Sequence, residues 1–86
     1  MKISFTKKFD KQFVKLPNKK QEQAMGAIRL FLIDINNPKL RHHSLKGQWL
    51  GYNSISAGGD LRLHLKVIND NTILFVAIGS HSQLYK

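Results

Sequence analysis

From Asp60 to Val67 the chain reads Asp-Leu-Arg-Leu-His-Leu-Lys-Val, a strict alternation of polar and aliphatic residues. A period of two sends Leu61, Leu63, Leu65 and Val67 to one face of a strand and Asp60, Arg62, His64 and Lys66 to the other. The aliphatic face needs a second layer to keep it from water, while the cationic face can stay wet. A one-residue slip would exchange the two, so the register of this strand is strongly specified. The rest of the chain must therefore provide one apolar layer.

Residues 7 to 35 have the pattern to do so. Thr6 offers an N-cap, and Phe9, Phe13 and Leu16 recur at helical spacing while Lys7, Lys8, Lys11 and Lys15 lie off that stripe. Pro17 ends this first helix. Asn18 followed by Gln21 resembles a capping box and opens a second helix with apolar positions Ala24, Met25, Ile28, Phe31, Leu32 and Ile35. Asn36-Asn37-Pro38 stops it, and the short connection makes the pair a hairpin. Residues 2 to 5 alternate as a short strand. Residues 38 to 48 read as an ordered basic loop, and strands are expected at 49–56, 60–68 and 72–79, separated by Ala57-Gly58-Gly59 and Asn69-Asp70-Asn71. The order β-α-α-β-β-β predicts an α+β fold over a single domain, residues 1–86, with a helical hairpin packed on one face of an antiparallel sheet.

Charge narrows the function. Fourteen Lys and Arg against five Asp and Glu give a formal net charge of +9, which points to a polyanionic partner. No apolar run approaches the roughly 20 residues of a membrane helix, the first residues lack the pattern of a secretory leader, and cysteine is absent. These features predict a cytoplasmic protein with no membrane partner.

Metal-free RNA cleavage requires a base for the ribose 2′-OH, an acid for the leaving 5′-oxygen and cations for the crowded phosphate. Histidine suits both proton roles. Of the four histidines, His43 in His43-Ser44-Leu45-Lys46-Gly47 and His81 in Gly79-Ser80-His81 stand at strand ends, where they can flank one phosphate beside Lys46 and Arg62. Asp60 either terminates the glycine turn, orients a histidine or accepts a proton itself. Tyr85 either packs on the core or meets a base. Arg62, His64 and Lys66, on the polar strand face, are expected with Lys46 to contact RNA. His42 reads as a solvated neighbour, and Trp49 and Tyr52 read as packing. No Walker lysine, zinc-type spacing or serine triad signature is present, so neither a metal nor a cofactor is expected.

His43-Ser44-Leu45-Lys46-Gly47-Gln48-Trp49-Leu50-Gly51-Tyr52 resembles the H-x-L-x-G-x-W-x-G-Y segment of YafQ-like toxins, a branch of the RelE superfamily. Asp60 falls at the aspartate of that group, and Gly79-Ser80-His81 through Leu84-Tyr85 resembles its G-[ST]-H-x-x-L-[FY] ending. Phe9-Asp10-Lys11-Gln12-Phe13 and Lys15-Leu16-Pro17 resemble its first helix. The resemblance implies a RelE-like fold, ribosome-dependent mRNA cleavage, and silencing by an acidic, partly disordered antitoxin, with operator DNA bound only through that complex. It also implies His43, Asp60 and His81 as catalytic, with Tyr85 at the aromatic position. Two positions depart from the group: Ser56 stands where it carries another histidine, and Ala77 where it carries an arginine. That leaves a second reading, an antitoxin-binding module with weakened chemistry. A gyrase-poisoning role on the related ParE scaffold fits the histidine pattern less well.

Overall fold

The computed structural model describes residues 1–85. Strand β1 (Lys2–Phe5) runs into Thr6, whose hydroxyl accepts from the Phe9 backbone N–H and starts helix α1 (Lys7–Val14). Pro17 separates this from helix α2 (Asn18–Ile33). Asp34 turns extended after α2, so the helix stops two residues short of Ile35. Residues 38 to 48 then make a 3-10 turn at Pro38–Leu40 and a two-residue strand, β2 (His43–Ser44). A second 3-10 turn covers Gly47–Trp49, and strands β3 (Asn53–Ser56), β4 (Leu61–Asn69) and β5 (Thr72–Ser80) follow. A short helix, α3 (His81–Leu84), comes after β5.

The α+β class and the helical hairpin are as expected from the sequence. The sheet, however, is mixed rather than antiparallel. Its order is β1-β5-β4-β3-β2, and β1 lies parallel to β5, with Lys2 opposite Thr72 and Phe5 opposite Phe75. A chain that leaves β1 through two helices and three strands can return beside it in either direction, and nothing within Lys2–Phe5 encodes which. Where β1 ends, α1 takes over that edge of β5. Thr6 Oγ1 donates to the Val76 carbonyl at 3.1 Å, and Gln12 Oε1 accepts from the Ile78 N–H at 2.9 Å. These side chains satisfy backbone groups that no strand covers.

The core lies between the helices and one sheet face. Phe9, Ala24, Ala27, Ile28 and Phe31 meet Ile55, Leu63, Leu65, Ile73 and Phe75. Phe5, Phe9 and Phe31 pack around Phe75 with ring centroids 5.6 to 6.1 Å apart, a spacing at which aromatic pairs add to their area burial. Leu61, Leu63 and Leu65 are buried as the alternation requires, but Val67, near the hairpin end, is 48% exposed. Met25, Leu32 and Ile35 also fall outside the buried stripe.

The segment 49–56, expected as one strand, is a strand only from Asn53. Trp49 belongs to a tight turn bounded by Gly47 (φ 64°) and Gly51 (φ 92°), left-handed positions at which a side chain is strained. This turn brings the Trp49 ring over the sheet face opposite the helices.

Candidate active site

The strand register builds a row across that second face. His43 on β2 opposes Ser54 on β3, Ser54 opposes His64 on β4, and His64 opposes Ala77 on β5. Directly opposed residues share a face, so the row sets two histidines on the side away from α2. Ser54 and Ala77 are small and buried.

His64 occupies the centre of the row, but not as an open cleft residue. It is 1% exposed. Trp49 meets it edge-on at 4.4 Å between centroids, and Tyr85 at 5.7 Å. The expected RNA contact through His64 is therefore corrected: the ring is roofed by a turn and by the residue following α3. Its Nδ1 is buried without a hydrogen-bond partner. Burial first, and then the neighbouring His43 and His81, lower its pKa from 6.5 to about 4, so at neutral pH it is uncharged.

His43 is exposed at the sheet edge. Its Nδ1 lies 2.7 Å from the Arg41 carbonyl. A carbonyl only accepts, so Nδ1 carries the proton and a neutral ring leaves Nε2 with a free lone pair. Arg41 is the one non-glycine residue with positive φ (48°) among those described. That conformation aims its carbonyl at His43, a contact that no sequence pattern announces.

His81 is the first residue of α3 and is exposed, stacked on Tyr85 with centroids 4.4 Å apart and planes 22° from parallel. Its placement rests on a complete capping box: Ser80 Oγ accepts from the Gln83 N–H, and Gln83 Oε1 accepts from the Ser80 N–H. The Ser80-x-x-Gln83 spacing was a readable sign of this helix. Trp49 Nε1 and Gln48 Nε2 both donate to the Leu84 carbonyl, tying the turn to the end of α3.

The remaining sequence candidates spread outward. Asp60 is exposed in the turn before β4, one residue beyond the Leu61–Ser80 pair and hence near His81, and it lines a hollow with Lys15, Lys20 and Ser80. Arg62 is half-buried and folded back, Nη1 donating to the Ser56 hydroxyl (3.3 Å) and to the Gly59 carbonyl (2.9 Å). Three of its five N–H groups, on Nε and Nη2, remain available. Lys46 is exposed in the loop after β2, and Lys66 is exposed with Nζ 5.6 Å from the Tyr52 ring. His42 stands apart, with Nδ1 against the Ile35 carbonyl, Nε2 against the Asn53 amide and its ring on Phe31. It is a fully partnered structural imidazole. Among the described residues no three His, Asp or Glu side chains converge as a metal-ligand set.

The whole chain, residues 1–86, matches the family model of the bacterial toxin of type II toxin-antitoxin systems, YafQ. No curated protein sequence matches it significantly. Among solved structures, a copper-bound mutant toxin from Helicobacter pylori is 26% identical, with 98% of each chain covered and a TM-score of 0.77. The Escherichia coli DinJ-YafQ complex is 26% identical over 98% of this chain and 97% of that one, with a TM-score of 0.71. A YoeB/ParE toxin from Agrobacterium tumefaciens shares the fold, at 18% identity over 94% and 99% of the two chains and a TM-score of 0.77.

Proposed function

The chain belongs to the YafQ family of bacterial type II toxin-antitoxin toxins, and from that premise we propose that it is an endoribonuclease that cleaves mRNA on the ribosome. The observation that carries this reading is that His43 and His81 flank the buried ring of His64: His43 lies in its cross-strand row through Ser54, and His81 stacks on Tyr85, whose ring meets His64 at 5.7 Å between centroids. Two exposed imidazoles at one place on a cationic face are what 2′-OH-driven cleavage requires.

In this reaction His43, neutral and with Nε2 bare, takes the proton of the ribose 2′-OH. The 2′-oxygen bonds to phosphorus, the P–O5′ bond breaks, and His81 delivers a proton to the departing 5′-oxygen. The products are a 2′,3′-cyclic phosphate and a 5′-hydroxyl. Arg62, through its unengaged N–H groups, and Lys46 stabilise charge on the phosphate oxygens. Asp60, one residue before the Leu61–Ser80 pair, is the carboxylate we assign to orient His81, and Tyr85 holds the face of that ring. Lys66 contacts the RNA backbone farther along. His64 stays neutral and supports the two rings, Trp49 and Tyr85, that cover it.

The partner that silences this activity is an antitoxin. YafQ of Escherichia coli is seen in complex with DinJ, and a surface of net charge +9 calls for an acidic segment in that role. Operator DNA would be met only through such a complex.

Ser56 favours a second reading. Its hydroxyl is engaged by Arg62 and has no pKa suited to proton transfer, as expected of a module that binds antitoxin with weakened chemistry. Expression without antitoxin separates the two: growth arrest with cut mRNA supports the nuclease, and normal growth supports the binding module. Within the nuclease reading, His81→Ala abolishes arrest and cleavage while circular dichroism and melting stay native. Cleavage retained by that folded variant removes His81 from the mechanism.

A further inference from the structure

Against Trp49, and not lined by His64, is a hollow of about 500 Å³ that the reaction above does not use. It opens between α1, the turn holding Trp49 and the end of α3. Its walls are Trp49 and Tyr52, three glutamines (Gln12, Gln48 and Gln83), and Lys8 at the rim. The indole is pinned by its bond to the Leu84 carbonyl (3.0 Å), and Lys8 Nζ stands 5.8 Å from the ring centroid. Each glutamine spends one amide group on the fold. Gln12 and Gln83 use Oε1 to accept from the backbone N–H groups of Ile78 and Ser80, and Gln48 uses Nε2 on Leu84. What remains is an ordered set of spare groups: Nε2 of Gln12, Nε2 of Gln83 and Oε1 of Gln48.

A flat aromatic wall, fixed amide donors and an acceptor, and one exposed cation match the parts of a nucleotide. Bases stack on aromatic side chains, amides pair with the mixed donors and acceptors of base edges, and a lysine meets phosphate. No carboxylate is among the lining residues. Trp49 is the shared wall, touching His64 at 4.4 Å on the side of the histidine cluster. We propose that this hollow is a subsite for one nucleotide of the RNA strand flanking the cleaved bond, with the base against Trp49 and the glutamine amides and the phosphate on Lys8. The proposal rests on the nuclease reading and adds to it a place where base identity is sensed, remote from the proton-transfer groups.

Trp49 is the single tryptophan of the chain, so its fluorescence reports the subsite directly. The intact protein is titrated with adenosine, cytidine, guanosine and uridine 5′-monophosphates, with the free nucleosides and with inorganic phosphate. Saturable quenching by the monophosphates, differing among bases, is expected. Lys8→Ala should weaken all four about equally, by roughly the fivefold that an exposed charge pair supplies, and leave the nucleosides unchanged. In nitrogen-15 spectra the side-chain amides of Gln12, Gln48 and Gln83 should shift with the monophosphates. Absence of saturable quenching, indifference to Lys8→Ala, or shifts confined to His43 and His81 would each overturn the subsite. Cleavage is scored separately: nucleotide binding in a chain that cuts no RNA keeps the subsite and ends the nuclease reading, and cleavage by a chain whose hollow binds nothing does the reverse.

Discussion

Replacing His64 with leucine tests how the site is built. The native ring is buried, has an unpartnered Nδ1 and titrates near 4 instead of 6.5. Above pH 6.5 the folded and unfolded chains both carry it neutral, so it adds no pH dependence there. Between pH 6.5 and 4 the unfolded chain binds a proton that the folded chain refuses, and stability falls as pH falls. Below about 4 both states are protonated and the loss levels out. At 1.36 kcal/mol per pH unit the full loss is about 3 kcal/mol, of which about 2 kcal/mol is reached by pH 5. For a domain of this size that lowers the melting midpoint by roughly 8–16 °C at pH 5. His64→Leu fills a similar volume under Trp49 and Tyr85 without a titrating group. Urea denaturation of both proteins at half-unit steps from pH 8 to 4 gives the difference curve, in which the contributions of all groups other than residue 64 largely cancel. The expected difference is flat above pH 6.5 and then rises in favour of the variant. Parallel curves would refute the claim that His64 is held neutral by its surroundings.

Five further substitutions, at four positions, probe the supports of the site and of the core. A Cβ at Gly79 would stand 2.9 Å from Gln83 Oε1, so Gly79→Ala should open the capping box at a cost of about 1 kcal/mol. It should reduce RNA cleavage by roughly ten- to a hundredfold through displaced His81, measured by urea melts beside a cleavage assay. Arg41→Gly relaxes the left-handed backbone and should raise stability by up to about 1 kcal/mol, whereas Arg41→Val should lower it by roughly 1–2 kcal/mol. Thermal melts compare the pair, and the valine variant should also cleave more slowly because the carbonyl holding His43 moves. Phe31→Ala empties the centre of the core and should cost about 3–5 kcal/mol, while Leu32→Ala, at a residue 44% exposed, should stay within about 1 kcal/mol; equal losses would contradict the assignment of the buried stripe.

The parts of this protein legible from sequence are those with a period. The alternation through Leu61, Leu63 and Leu65 and the helical stripe through Ala24, Ile28 and Phe31 placed the core correctly, and the short motifs around His43 and His81 picked out the two exposed imidazoles at the candidate site. What escaped reading depends on partners distant in the chain. Period two assigns His64 to a face but cannot say whether that face is covered, and its cover comes from Trp49 in a turn and Tyr85 after α3. Trp49 carried a strong strand preference that flanking glycines in left-handed conformations overrode. The direction of β1 is set by β5, some seventy residues away. Arg62, expected on an open cationic face, bends back because the β3–β4 turn presents it with a hydroxyl and a carbonyl. The Ala77 position, where related toxins are expected to carry arginine, lies directly opposite His64, so a small side chain there sits next to the imidazole that this chain buries.

The pairing of β1 with β5 also orders events during synthesis. Thr6 bonds to Val76 across a separation of 70 residues, and contacts that close so long a loop form late. A nascent chain that has released everything through β4 still lacks Phe75, around which the aromatic core packs, and lacks His81 and Tyr85 altogether. Neither the hydrophobic layer nor the pair of imidazoles exists until β5 has emerged and reached back to the first strand. On the nuclease reading proposed above, the chain has no complete site for most of its own translation, and the fold and the site are completed in the same late step.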